Sequence, residues 1–421
     1  MSPHRLWSRG HRAEPEAVSR QRIVFLMSDT GAGHRSAANA IRAAMEQRYP
    51  GLYTFELVDV YRRYTPFPFK YLPELYPRWV NWARHSWGLG YWLADARYRS
   101  MAVMAVLGRW WSRGLRRLLA EHPADAIVCV HALFTRPTMR LLRSPGRPRP
   151  PFVTVVTDLV TAHAFWYDPA VDRCLVPTPD AYQRGLALGL SPDQLRLTGL
   201  PVHPRFLNGL PARDEARRAL GLHPTLPAVL LVGGGDGMGP VYRIARALNE
   251  ARLEMQLIVV AGRNRALQRR LEAVPWHQPT LITPFVHSMP ELMAAADILV
   301  TKAGPATICE AVATGLPLVL SGAVPGQEDG NVRFVVRHGL GTYAPGPAEV
   351  ARTVAAWLAE GPSGLARRAA TVRRFACPDA VWTIADEIHQ QAGRTSTASD
   401  SGTADRTLFR WDAAPEEGWL W

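Results

Sequence analysis

Two residues able to move a proton share one short turn near the start of the chain: SDTGAGH, residues 28–34, holds Asp29 and His34 around Gly31, Ala32 and Gly33. Histidine titrates near neutral pH, so His34 is a candidate to take the proton from an attacking hydroxyl. The plain alternative for a loop histidine is a helix cap or a core residue. Asp29 is either a second candidate base or a cap for the backbone N–H groups of the turn. A second constellation is the glycine turn Gly233-Gly234-Gly235-Asp236-Gly237-Met238-Gly239, followed by a helical stretch. N–H groups at such a helix start can hold a diphosphate. The spacing departs from G-x-G-x-x-G and lacks the Gly-Lys-Ser/Thr of a Walker loop, so taken alone it reads equally well as a tight turn. Arg263 ends the next apolar run, where a dinucleotide fold would place an acid for the ribose and where an arginine is compatible with a 2′-phosphate. In a third constellation Ala303-Gly304-Pro305 opens a helix, with proline well suited to its first position. Glu310, one to two turns in, can accept hydrogen bonds from ribose hydroxyls. The loop at 325–331 then gathers Gln327, Glu328, Asp329 and Asn331, which suit the hydroxyls of a sugar. A solvated helix residue and a merely polar loop are the alternatives.

These turns need strands and helices to hold them. Apolar runs alternate with helical stretches twice: first IVFLM (23–27), FELVDV (55–60), AIVCV (126–130), FVTVVTD (152–158), RCLVPT (173–178) and LRLTG (195–199). The second series is AVLLVGGG (228–235), LIVVAG (257–262), ILVTKAG (298–304) and LPLVLSG (316–322). Short apolar strands separated by helices predict parallel sheets covered on both faces, and two series predict two doubly wound α/β domains. The Pro- and Gly-rich stretch 199–211 marks the boundary, giving domains at 21–205 and 206–392. Residues 1–20 read as a mobile basic tail and 393–421, rich in Ser, Thr and Gly, as a disordered one.

The 421 residues suit two domains, and 47% apolar composition suits a globular protein. The uncharged apolar runs, Met101 to Gly108 among them, are far short of a membrane span. No apolar segment in the first twenty residues suggests a secretory signal. Four scattered cysteines, with no C-x-x-C pair, indicate neither zinc nor a disulfide framework, and a reducing, cytoplasmic setting is expected. The formal charge of +13 calls for an anionic partner. Between Tyr61 and Arg117 eleven basic residues face only Glu74 and Asp95, and six tryptophans lie among them. Tryptophan with arginine suits a lipid headgroup region. Nucleic-acid binding is the competing reading of the same charge, but no nucleic-acid motif accompanies it. Solvated arginines and core tryptophans account for part of the segment.

The series SDTGAGHRSAANAI, VTDLVTAHAFWYDPAVDRCLVPT, LTGLPVHPRF, GGGDGMGP, VAGRN, TKAGPATICEA and PGQEDGNVRFV runs in order through residues 23–345. It resembles the MurG-like glycosyltransferases of family 28, within them the branch of monogalactosyldiacylglycerol synthases and diacylglycerol glucosyltransferases. The resemblance implies a GT-B fold, two Rossmann-like domains with the active site in the cleft between them, and the last helix packed back on the first domain. It assigns Gly234 and Gly235 to the diphosphate of a UDP-sugar, Phe285 and Val286 to uracil, Glu310 to the ribose, and Gln327 and Glu328, supported by Asn331, to the sugar. Arg263, Gly304 and Thr307 join this donor site. His34 matches the base, with Asp29 as its alternative, and Gly33, Asp158, His163 and Trp166 fall on the acceptor and lipid side. The implied reaction is inverting transfer of galactose or glucose to the 3-hydroxyl of diacylglycerol by a peripheral enzyme at the inner face of the cell membrane. Partners would be the UDP-sugar, diacylglycerol and an anionic membrane surface. No cofactor is expected; no D-x-D triplet offers metal ligands. The alternatives are N-acetylglucosamine transfer to another lipid-linked acceptor, or a binding protein without turnover. Departures from the family are Ala32 and Ala306 for glycines, Ala162 and Ala164 for cysteine and proline, and His203 for an arginine, which Arg205 or Arg263 could replace.

Overall fold

The computed structural model describes residues 20–30, 33–143, 149–286 and 288–393. The expected tails at 1–20 and 393–421 lie outside these residues, apart from Arg20 and Gly393, as do Gly31, Ala32 and the side chains of Arg78, Trp82 and Arg84. The first sheet is built from β1 (Gln21–Met27), β2 (Tyr53–Asp59), β3 (Ala126–Cys129), β4 (Phe152–Val155), β5 (Arg173–Val176) and β6 (Leu195–Leu197). Its strands run parallel in the order β2-β1-β3-β4-β5-β6. The second contains β7 (Ala228–Val232), β8 (Gln256–Val260), β9 (Thr280–Thr283), β10 (Ile298–Lys302), β11 (Leu318–Gly322) and β12 (Gly341–Tyr343), ordered β12-β11-β10-β7-β8-β9 and likewise parallel.

Side chains of a strand alternate between faces, so an all-apolar strand needs cover on both. In β1, Ile23, Phe25 and Met27 join Ile41, Met45 and Ile388 on one face, while Val24 and Leu26 join Trp111 and Phe134 on the other. In β7, Val229 and Leu231 pack with Ile244 and Val354, whereas Leu230 and Val232 pack with Leu292 and Ile308.

The strand order also locates the site. In an open parallel sheet a ligand crevice forms where the order reverses, beyond the carboxyl ends of the strands. That point lies between β1 and β3 in the first sheet and between β7 and β10 in the second. The histidine turn follows β1, the glycine turn follows β7, and the Gly304 turn follows β10.

Between β2 and β3 the chain makes an excursion through helices Leu72–Trp82, Arg84–Ala94 and Arg97–Glu121. Most of the large apolar side chains exposed among the described residues lie here or just before it. The chain also crosses between the halves twice. After leaving β6 for β7, it returns so that helix Ala380–Ala392 covers the first sheet. Arg48 binds Asp386 through two contacts of 2.6 and 3.0 Å, and the Tyr49 ring stacks on His389 at 3.9 Å. The two crossings touch: a Cβ on Gly199 would stand 2.9 Å from Cβ of Ala380 and 3.0 Å from Sγ of Cys377.

Candidate active site in the cleft

A cleft of about 670 Å³ separates the carboxyl ends of the two sheets, and both contribute its walls. The first wall begins with helix Gly33–Arg48, whose opening turn carries His34. Nδ1 of His34 lies 2.7 Å from the carbonyl oxygen of Val130 and 3.2 Å from Oγ1 of Thr157. A carbonyl can only accept, so Nδ1 is assigned the proton and Nε2 keeps its lone pair. Burial pushes the pKa down to about 4, because a charged imidazole would lose its hydration. The histidine is therefore a neutral acceptor at ordinary pH.

Its ring centroid is 4.5 Å from that of His131, which follows β3. Nδ1 of His131 accepts the N–H of Leu133 at 3.3 Å, which caps a helix and leaves Nε2–H to face the Thr30 hydroxyl at 3.4 Å. Burial, then the neighbouring His34, hold His131 well below its usual pKa. Sequence reasoning missed His131; its signal is a histidine placed directly beyond a buried strand.

Asp29 binds Arg35 through both oxygens, at 2.6 and 2.9 Å. The Arg35 hydrogen bond holds its carboxyl below the usual range. This favours Asp29 as an anchor for Arg35 over the alternative role of base.

The acceptor-side expectations divide. Gly33 and Asp158 line the cleft, but His163 and Trp166 do not. Trp166 is 1% exposed and donates its indole N–H to Oδ2 of Asp158 at 2.7 Å. Nδ1 of His163 accepts from the N–H of Phe165, so its Nε2–H is left to reach the carbonyl of Tyr91 at 3.1 Å. Both side chains are enclosed and hydrogen-bonded, which corrects the placement of Trp166 beside a lipid or sugar path: the two position Asp158 and helix Arg84–Ala94. Burial pushes the Asp158 carboxyl up to about 6.

The second wall relies on backbone. Gly234 has φ +72°, and Gly262, with φ +62°, sits so close that a Cβ there would stand 2.5 Å from the carbonyl oxygen of Gly235. Only glycine adopts such a conformation at no steric cost. The N–H of Arg263 donates to the same carbonyl at 2.8 Å, and its guanidinium pairs with Asp236 at 2.8 Å and lies over the Phe285 ring. Phe285, Val286, Gly304, Thr307 and Glu310 also line the cleft. The Ser36 hydroxyl reaches Glu310 from the first wall at 3.5 Å, and burial raises the Glu310 carboxyl to about 7.

The polar loop folds around Glu328. Its Oε2 accepts the N–H of Val324 at 2.9 Å and its Oε1 pairs with the ammonium of Lys302. Gln327 spans the walls: its Oε1 accepts the Tyr76 hydroxyl at 3.4 Å and its Nε2 faces Asp158 at 3.5 Å. Asn331 is buried and does not line the cleft; its Nδ2 donates to the carbonyl of Ala303 at 2.9 Å and so fixes the turn before Gly304. Of the residues near His203, Arg205 pairs with Glu291 at 2.6 Å, and Arg42 also lines the cleft. Lys302, Tyr76 and Ser36 escape sequence reasoning, because a strand end, an aromatic-rich helix and a helix face carry no motif of their own.

The monogalactosyldiacylglycerol (MGDG) synthase family model matches residues 34–202, and the glycosyltransferase family 28 C-terminal domain model matches residues 229–348. The chain is 38% identical to a probable monogalactosyldiacylglycerol synthase, chloroplastic, of Glycine max, over 91% of this chain and 73% of that protein. It is 37% identical to monogalactosyldiacylglycerol synthase 1, chloroplastic, of Arabidopsis thaliana, over 89% of this chain and 72% of that protein. Among solved structures, Acinetobacter baumannii MurG superposes with a TM-score of 0.55 at 15% identity, covering 88% of this chain and 99% of that one. WaaG gives 0.52 at 17% identity, covering 87% and 99%. At these identities the two structures bear on the fold alone, which is GT-B. The plant relatives overturn one expectation: they are chloroplastic enzymes, so a cytoplasmic place at the inner face of a cell membrane does not follow from membership of this group. Among the described residues no helix is long and apolar enough to cross a membrane.

Proposed function

Because the chain belongs to the monogalactosyldiacylglycerol synthase family of glycosyltransferases, we propose that it moves galactose from UDP-galactose to the 3-hydroxyl of diacylglycerol with inversion at the anomeric carbon. The observation that carries this reading is a neutral His34, its Nδ1 committed to Val130, across one cleft from a glycine turn, Glu310 and the Gln327-Glu328 pair. Nε2 of His34 takes the hydroxyl proton while the acceptor oxygen bonds to C1 of the sugar. The bond from C1 to the β-phosphate oxygen breaks, and its electron pair leaves with UDP. The β-galactosyl lipid and UDP are released, and the histidine returns its proton to solvent.

On the donor side, Gly234 and Gly235 present backbone N–H groups to the diphosphate, together with the N-terminus of helix Pro305–Thr314. Arg263 and Phe285 frame the base, Glu310 takes the ribose, and Gln327 and Glu328 take the sugar hydroxyls. The absence of a D-x-D triplet supports routing the leaving charge through protein groups rather than a metal. Activity surviving EDTA is the expected outcome; loss restored by a divalent cation would overturn that assignment.

The lipid partner is supported by the excursion at 67–110. Tyr98 is 80% exposed and Trp92 65%, and Arg99 lies over the Trp92 ring. Amphipathic rings among arginines suit an anionic lipid surface. The deciding experiment incubates the protein with diacylglycerol in anionic vesicles and, separately, labelled UDP-galactose, UDP-glucose and UDP-N-acetylglucosamine. Label entering lipid from UDP-galactose is expected. Transfer only from another donor would reassign the sugar, and no lipid product from any donor would overturn the reaction.

A further inference from the structure

Only two of the 49 strongly basic residues are lysine: Lys70 and Lys302. The chain uses arginine almost everywhere a cation is wanted. Lys70 lies on the exposed basic segment, over the Tyr71 ring. Lys302 lies in the cleft. Arginine is a broad planar fork, whereas lysine ends in a compact ammonium with three donors.

The geometry places the Lys302 ammonium at the donor turns. Lys302 ends β10, where the pairing with β11 shifts register between Thr301 and Lys302. Such irregularities re-aim a side chain. Here the chain of Lys302 runs between the two glycine turns. A Cβ on Gly304 would stand 2.9 Å from Nζ, and one on Gly234 would stand 3.8 Å from Cε. Glu328 takes one ammonium donor. Nζ thus lies beside the turns that the proposed function gives to the diphosphate.

We propose that Lys302 is a catalytic residue that contacts the donor diphosphate and neutralises the charge gathering on UDP as the bond to C1 breaks. Glu328 orients the ammonium. The proposal rests on the galactosyl-transfer reading, and its test separates the two.

The test compares the wild-type chain with Lys302→Arg, Lys302→Met and Lys302→Ala. Wild-type transfer to lipid establishes the parent reaction; its absence sinks that reading and leaves Lys302 to the UDP measurement. Lys302→Met is expected to lose about 100-fold or more in kcat, as for removal of one preorganised charge contact, with unchanged melting. Lys302→Arg, which keeps the charge, is expected to retain more activity than Lys302→Met. Methylammonium is expected to restore activity to Lys302→Ala. Calorimetry is expected to show weaker UDP binding by Lys302→Met. Retention of kcat within about threefold in Lys302→Met would overturn the proposal, as would unchanged UDP affinity. If Lys302→Met fails to fold, absence of methylammonium rescue in a folded Lys302→Ala overturns it.

Discussion

The two walls of the cleft grow from sheets of one design, six parallel strands with a turn at each reversal of order, yet they present different groups: paired imidazoles on one, glycine turns and cation–carboxylate pairs on the other. On the first wall desolvation strips the imidazoles of charge: His34 and His131 are both held neutral. On the second wall the cleft-lining cations lie against carboxylates: Lys302 on Glu328 and Arg263 on Asp236. Burial does not dictate chemistry alone. A group that must accept a proton gains from neutrality, whereas groups that meet a diphosphate and sugar hydroxyls must arrive charged or as aligned dipoles.

The contrast breaks most sharply at His34. His34→Ala is expected to lower kcat by about 10²–10⁴-fold, the range for a positioned base, with UDP affinity within about twofold by calorimetry. Near-normal turnover would remove the base from the first wall. The pH profile sharpens the same point. A base works only unprotonated, so activity falls as pH drops through its pKa, here about 4. The acid limb of kcat is expected well below the ordinary histidine value of about 6.5; a limb near 6.5 would mean that the loaded site admits a charged imidazole.

The mirror-image change is Gly262→Ala. A Cβ pressed against the Gly235 carbonyl, at positive φ, is expected to cost about 1–3 kcal/mol and to weaken UDP binding about tenfold. Unaltered UDP titration would detach the glycine turn from the donor.

Glu310→Gln has a smaller effect with a defined sign. A carboxyl raised to about 7 binds more protons folded than unfolded, so its contribution is present below the unfolded pKa and is lost as pH rises through 7. The glutamine variant should escape that loss, gaining roughly 1–2 kcal/mol relative to wild type between pH 5 and 8, with the part-exposed site discounted. Thermal melts at the two pH values decide it. Smallest of all, Trp92→Ala with Tyr98→Ala is expected to weaken binding to anionic vesicles about threefold to tenfold, with binding also falling as salt rises. Unchanged flotation would remove the exposed face from the lipid reading.

Much of this contrast is legible in the order of residues along the chain. The strand–helix alternation places the sheets, since β1, β7 and β8 are apolar runs that need cover on both faces. The turns at His34, Gly234 and Gly304 fall at strand ends, where a parallel sheet puts its crevice. What stays hidden is direction. TAHAFW contains a histidine and a tryptophan, but no pattern tells that Trp166 turns inward to Asp158 or that His163 reaches back to Tyr91. His131 and Lys302 carry no motif; they matter because strand order brings β3 beside β1 and β10 beside β7. Tyr76 reads as one more aromatic in a basic stretch until the fold lays its hydroxyl on Gln327.

One feature of the fold acts on all of these groups together. The chain passes between the halves twice, and the two passages touch at Gly199. Side by side they form a strap rather than a thread, and two linked passages constrain a twist of one half against the other more than a single one would, which bears on the alignment of His34 with the opposite wall. A larger side chain at position 199 would wedge the strap, leaving both halves intact and misaligned.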